Sequence, residues 1–325
     1  MDLPITVKKL SKKLSWLLAG TLVLCCLVSI TPSFLQAQDC ADDRYTECRG
    51  QREVEYLVKD IHALDRPYAY LIKDTKYWIL EAIGALLILG AIGFAAMHGF
   101  GRFLAHKRKP VELEKQRSVF IYKLFIRIGH WFNAFAVIIL IVTGFLMHYV
   151  GPSHLLGRIH NAAGVSFVVF WLAFFVYEIT SFDYKQFLVD DWELKEGIFR
   201  QALFYVFGIF KQEEHPYHMQ FAARLNPLQK VAYFTVMFFL VPLVGFTGMV
   251  LLVPDMMSFF VNFIGLENMK YVFIFHLGGA FAMVAYLLGH LYLGTTGDKI
   301  LQHYKVIVTG YHDEYRHKSM EMIKK

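Results

Sequence analysis

Long apolar runs alternate with shorter charged connections along this chain, and that alternation predicts helices that cross a membrane. Segments apolar enough and long enough to span a bilayer lie at about 78–98, 128–150, 160–180, 230–253 and 271–295. An earlier run, Leu14–Ile30, follows Lys8, Lys9, Lys12 and Lys13 and leads into a stretch ending near Ala37. Residues 1–38 read as a secretory signal peptide, expected to be cleaved near Ala37; the alternative is an uncleaved first span, because the site matches the A-x-A pattern only loosely. Residues 39–77 are a polar exported segment, too small for a core of its own. The remainder divides into an additional span at 78–98, a basic linker at 99–127, a four-helix domain at 128–296 and a tail at 297–325. Within the connection 181–229, apolar residues recur at helical spacing over Glu193–Phe210, which predicts an interfacial helix lying on the membrane.

Composition supports this pattern: 56% of the 325 residues are hydrophobic and 18% are charged, too apolar a balance for an ordinary soluble domain. The formal charge of +6 does not point to nucleic acid, because Lys and Arg cluster beside the apolar runs. The connection 99–127 holds Arg102, Lys107, Arg108, Lys109, Lys115, Arg117, Lys123 and Arg127, whereas 151–158 offers only Arg158 and 254–270 only Lys270. The positive-inside bias places 99–127, 181–229 and the C-terminus in the cytoplasm of a multi-pass protein of the bacterial inner membrane. Of the four cysteines, Cys40 and Cys48 fall in the exported segment and suit a disulfide there. No CxxCH occurs, so covalent haem attachment has no sequence support.

Ionisable residues inside spans are costly and raise a functional hypothesis by default. His276 and His290 are fourteen residues apart on the last span, which separates them by about 21 Å along the axis and leaves them about 40° from the same angular position. One helix face can thus serve two sites at different depths. With the orientation above, His130 begins its span at the depth of His290, and His160 begins its span at the depth of His276. His148 is a rival for the second pairing, because eighteen residues from His130 is five complete turns. Paired imidazoles at each depth would hold two b haems with no open iron position, an arrangement suited to electron transfer.

The segments Gly129-His130-Trp131, Leu156-Gly-Arg158-Ile-His160 and Asn226-x-x-Gln229-Lys230, with the His276/His290 pair, resemble the cytochrome b gamma subunit of respiratory formate dehydrogenases over about residues 118–316. The resemblance implies an all-α membrane protein: a four-helix transmembrane di-haem cytochrome b bundle, here with one additional N-terminal transmembrane helix and the signal-like segment. It implies His130 with His290 as ligands of the haem nearer the cytoplasm, and His160 with His276 as ligands of the periplasmic one, which disfavours His148. It further implies a quinone site, for menaquinone, at His290, Asn226 and Gln229. Asn226 has a second reading as a helix N-cap, with Pro227 at the first helical position. By resemblance the partners are an iron–sulfur subunit and a catalytic formate dehydrogenase subunit, and the chain is part of a quinone-reducing oxidoreductase complex. Other readings are a subunit of a hydrogenase or a sulfur-compound reductase, and a haem or metal transporter.

Overall fold

The computed structural model describes residues 77–317 except 109, 110, 152, 182 and 222. The signal-like segment, nearly all of the exported segment and both of its cysteines lie outside the described residues.

Among the described residues the protein is mostly helical and has five helices long and apolar enough to cross a membrane. They are α1 (Trp78–Arg108), α2 (Leu124–Tyr149), α3 (His154–Thr180), α5 (Pro227–Leu252) and α7 (Met269–Leu293). At about 1.5 Å per residue each exceeds the roughly 30 Å of a hydrocarbon core. Their exposed apolar side chains, such as Leu86, Met97 and Phe135, are what a lipid solvent requires. Between α3 and α5, a helical segment over 193–211 (α4) occupies the region expected to lie on the membrane, and it contains two π turns, Glu193–Gly197 and Phe204–Gly208. A third π turn, Val236–Leu240, interrupts α5. Two short helices follow, α6 (Ser258–Ile264) and α8 (Gln302–Thr309).

The chain divides into two compact units. The first comprises the start of α1, most of α2, all of α3 and α6, the second half of α5 and the first half of α7. Its small core gathers Val250, Leu251, Val261, Met269 and Val272. The side chain of Ser153 caps α3 by accepting from the Leu156 amide, and α6 stops at Gly265, whose φ of 82° few other residues adopt.

The second unit holds the rest of α1, the first turns of α2, all of α4 and α8, and the remaining halves of α5 and α7. In this unit α1 runs to Arg108, ten residues past its expected end, and its polar residues find partners. His98 bonds the Tyr205 carbonyl and the Tyr292 hydroxyl, and Arg102 donates to the Thr295 carbonyl. A two-stranded antiparallel ribbon, β1 (Leu113–Phe120) with β2 (Tyr311–His317), occupies parts of the expected linker and tail. Ion pairs Lys115–Asp313 and Arg117–Glu314 cross it, and Lys305 of α8 also reaches Asp313. Beside the ribbon, Ile121 and Tyr122 donate to the Gly310 carbonyl and Arg127 donates to the Val308 carbonyl, which ties down the first turn of α2.

Candidate functional site

Two histidine pairs stand out, one in each unit. In the first unit, His160 of α3 faces His276 of α7 with ring centres 6.3 Å apart and planes at 74°. In the second, His130 of α2 faces His290 of α7 with ring centres 6.1 Å apart and planes at 41°. These are the pairings that depth and resemblance favour.

Both distances can be tested against the group they would hold. An iron ion with an imidazole on each side needs about 2 Å to each nitrogen, and each ring centre lies about 1 Å farther, so the centres belong about 6 Å apart. Neither pair is a parallel stack: the first is edge-on and the second tilted. The residues present fit bis-imidazole ligation at both places.

At the first pair the ring orientation is fixed from behind. His160 Nδ1 lies 2.9 Å from the Thr143 hydroxyl, and His276 Nδ1 lies 3.1 Å from both the Thr247 hydroxyl and the Val244 carbonyl. Each threonine is followed by a glycine with the same task. A Cβ on Gly144 would meet His160 Cε1 at 3.1 Å, and one on Gly248 would meet His276 Cε1 at 3.1 Å. At the second pair the surroundings are aromatic: the Tyr286 ring stacks on His290 at 5.7 Å, and Tyr233 meets it edge-on at 6.2 Å.

His148 lies elsewhere. Its Nε2 is 2.8 Å from Glu81 of α1, and Tyr77 meets its ring edge-on. The helical face it shares with His130 is therefore used for a carboxylate contact, which sequence reasoning did not foresee because Glu81 belongs to the additional span. Outside the spans, burial pushes His215 and His312 down to about 4, with a smaller push on His312 from His303. Among the described residues no cluster of three or more His, Cys, Asp or Glu has the geometry to hold a metal ion.

Asn226 and Gln229 form a reciprocal cap at the start of α5. The Asn226 side chain accepts from the Gln229 amide at 2.9 Å, and the Gln229 side chain accepts from the Asn226 amide at 3.0 Å. Pro227 occupies the first helical position. Both side-chain oxygens are thus committed to the helix, and Asn226 Nδ2 points to the Tyr205 hydroxyl at 3.5 Å. What the two residues can offer a quinone carbonyl is amide N–H.

Thr143 and Thr247 escaped sequence reasoning. A signal was present, a Thr-Gly dipeptide in each of two apolar spans, but a single hydroxyl in a span ordinarily bonds its own helix and marks nothing.

Comparison with known proteins gives the family. Residues 121–310, more than half the chain, match the family model described as prokaryotic cytochrome b561. A protein of Escherichia coli (strain K12) named "Putative cytochrome YdhU" is 29% identical over 240 residues, covering 72% of this chain and 88% of that protein. No solved structure matches.

Proposed function

We propose a function on the ground that this chain belongs to the prokaryotic cytochrome b561 family and is a multi-pass, b-type membrane cytochrome of electron transfer: it holds two b haems and is the membrane subunit of a respiratory formate dehydrogenase. The observation that carries the two-haem reading is the pair of imidazole separations, 6.3 Å for His160–His276 and 6.1 Å for His130–His290. His160 with His276 would hold one haem and His130 with His290 the other, and each would supply one-electron iron chemistry suited to electron transfer.

The chain's own part is to place, orient and insulate. Lys and Arg on the connections support a cytoplasmic side at His130 and His290 and a periplasmic side at His160 and His276. The chain accepts electrons from a periplasmic iron–sulfur subunit near the second of these pairs and delivers them to a menaquinone near His290. Reducing the quinone takes two electrons and two protons, the protons drawn from the cytoplasm. Asn226 and Gln229 support this placement through their amide donors at the start of α5. The choice of formate rests on the motif resemblance alone; a subunit of a hydrogenase or of a sulfur-compound reductase is the alternative reading.

Purified chain should show two low-spin b haems, reducible by a quinol analogue and retained on washing. Haem present below one per chain and lost on washing would favour a haem transporter instead. Membranes assayed for quinone-linked oxidation of formate or hydrogen, and for quinol-linked reduction of thiosulfate, identify the catalytic partner. Activity with hydrogen or thiosulfate and none with formate would overturn the formate assignment while leaving the cytochrome intact.

A further inference from the structure

The two Thr-Gly dipeptides repeat a single device. Thr143-Gly144 lies on α2 and serves His160 on the next helix in sequence; Thr247-Gly248 lies on α5 and serves His276 on the next span. The repetition does not extend to the other pair. Thirteen residues before Thr143 is His130, but the matching position before Thr247 is Phe234; fourteen residues after His276 is His290, but the matching position after His160 is Phe174. The histidine spacing therefore does not repeat from one helix pair to the other.

Its chemistry follows from counting protons. A threonine hydroxyl has one proton to give and two lone pairs to offer. Thr143 Oγ1 is 2.7 Å from the Ile139 carbonyl and Thr247 Oγ1 is 2.6 Å from the Leu243 carbonyl, so each proton goes to its own helix. The remaining capacity of each oxygen is to accept, and its neighbour is the histidine Nδ1. For His276 the Val244 carbonyl, which can only accept, demands the same assignment. Both rings must then be Nδ1–H tautomers with the Nε2 lone pair free. Both threonines are 5% exposed, so water does not compete for these bonds.

We propose that Thr143 and Thr247 are positioning residues that hold the Nδ1–H of His160 and His276, presenting both Nε2 atoms to one haem iron and lowering the reduction potential of that haem. A hydrogen bond donated from Nδ1–H makes the ring a more basic ligand, which favours the ferric form. The glycine after each threonine is part of the device, since a side chain there would crowd the ring and require it to shift by a few tenths of an ångström. This inference rests on the two-haem reading above and adds to it the part that two hydroxyls play behind one pair of ligands.

The test uses the full chain purified from membranes, with haem content and a spectroscopic redox titration as readouts. Thr143→Val and Thr247→Val should each keep two haems and move one of the two titrating components to more positive potential, leaving the other unmoved. Thr143→Ser and Thr247→Ser, which restore the hydroxyl, should return to the wild-type potential. If a Val variant drops one haem, its Ser counterpart should regain both the haem and the potential. Val variants with both potentials unchanged, or Ser variants shifted as far as Val or equally short of haem, would overturn the proposal. One haem or none in the wild type would overturn the two-haem reading instead, so the two failures are distinguishable.

Discussion

The angle between two axial imidazole planes sets the symmetry of the ligand field at a low-spin iron, which makes it a measurable property of each site. If each pair holds a haem as proposed, the planes at 74° for His160–His276 and 41° for His130–His290 should give two separate ferric low-spin electron paramagnetic resonance signals. The more anisotropic signal belongs to the more perpendicular pair. His160→Ala should remove that signal and leave the other; loss of the narrower signal instead, or loss of the wider one on His148→Ala, would overturn the assignment. These four histidines were legible in the sequence because a titratable ring in an apolar run is conspicuous and its depth follows from its position in the span. Thr143 and Thr247 were not legible, because their role depends on which neighbouring helix they face and sequence spacing carries no such information.

At the scale of elements, the start of α5 is a helix cap and, on the proposed function, also a quinone contact, and a substitution can separate the two. Asn226→Asp keeps a side-chain oxygen for the cap and removes the amide donor, whereas Asn226→Ala removes both and should cost about 1 kcal/mol of helix stability. Quinone reduction should therefore fall in the Asp variant with thermal stability retained, and both should fall in the Ala variant. An Asp variant of normal activity would assign Asn226 to the cap alone. The spans themselves were plain from apolar length, but the ribbon was not. Both strands are polar and largely without alternation, and their complementarity, Lys115 with Asp313 and Arg117 with Glu314, exists only once residues nearly two hundred positions apart are paired. The ribbon also has a defined response to acid. His312 in β2 is pushed down to about 4 by burial and then by His303, so the folded form holds it neutral. Between pH 6.5 and 4 the unfolded state binds the extra proton, and stability falls as pH falls through that window. Lys115, then Lys305 and then Ser118 hold the Asp313 carboxyl below the usual carboxylate range, so its contribution is present above the unfolded value and is lost on further acidification. Amide exchange in 113–120 and 311–317, corrected for its intrinsic pH dependence, should show progressively weaker protection below pH 6.5; unchanged protection down to pH 4 would contradict this.

For the molecule as a whole, family membership and five apolar helices define a membrane cytochrome, while its catalytic partner is a matter for co-purification. Alternating apolar runs and charged connections made the five spans among the described residues readable, since the bilayer imposes the same length on every crossing. Sequence did not reveal that the additional span would place Glu81 on His148 and His98 on Tyr205, because such contacts join a helix outside the matched region to residues within it. The ribbon has one more consequence, for the order in which the protein matures. His160 and His276 have both been synthesised, with their threonines, once residue 276 has left the ribosome. His130 sits on the first turns of α2, a region anchored to Gly310 and Val308 and flanked by a strand whose partner is among the last residues described. If both pairs hold haem as proposed, biogenesis should therefore be staged, with haem captured first at His160–His276 and second at His130–His290. A chain truncated after Gly310 should be isolated with the first haem and depleted of the second, an arrested intermediate that haem quantification and resonance spectra would identify.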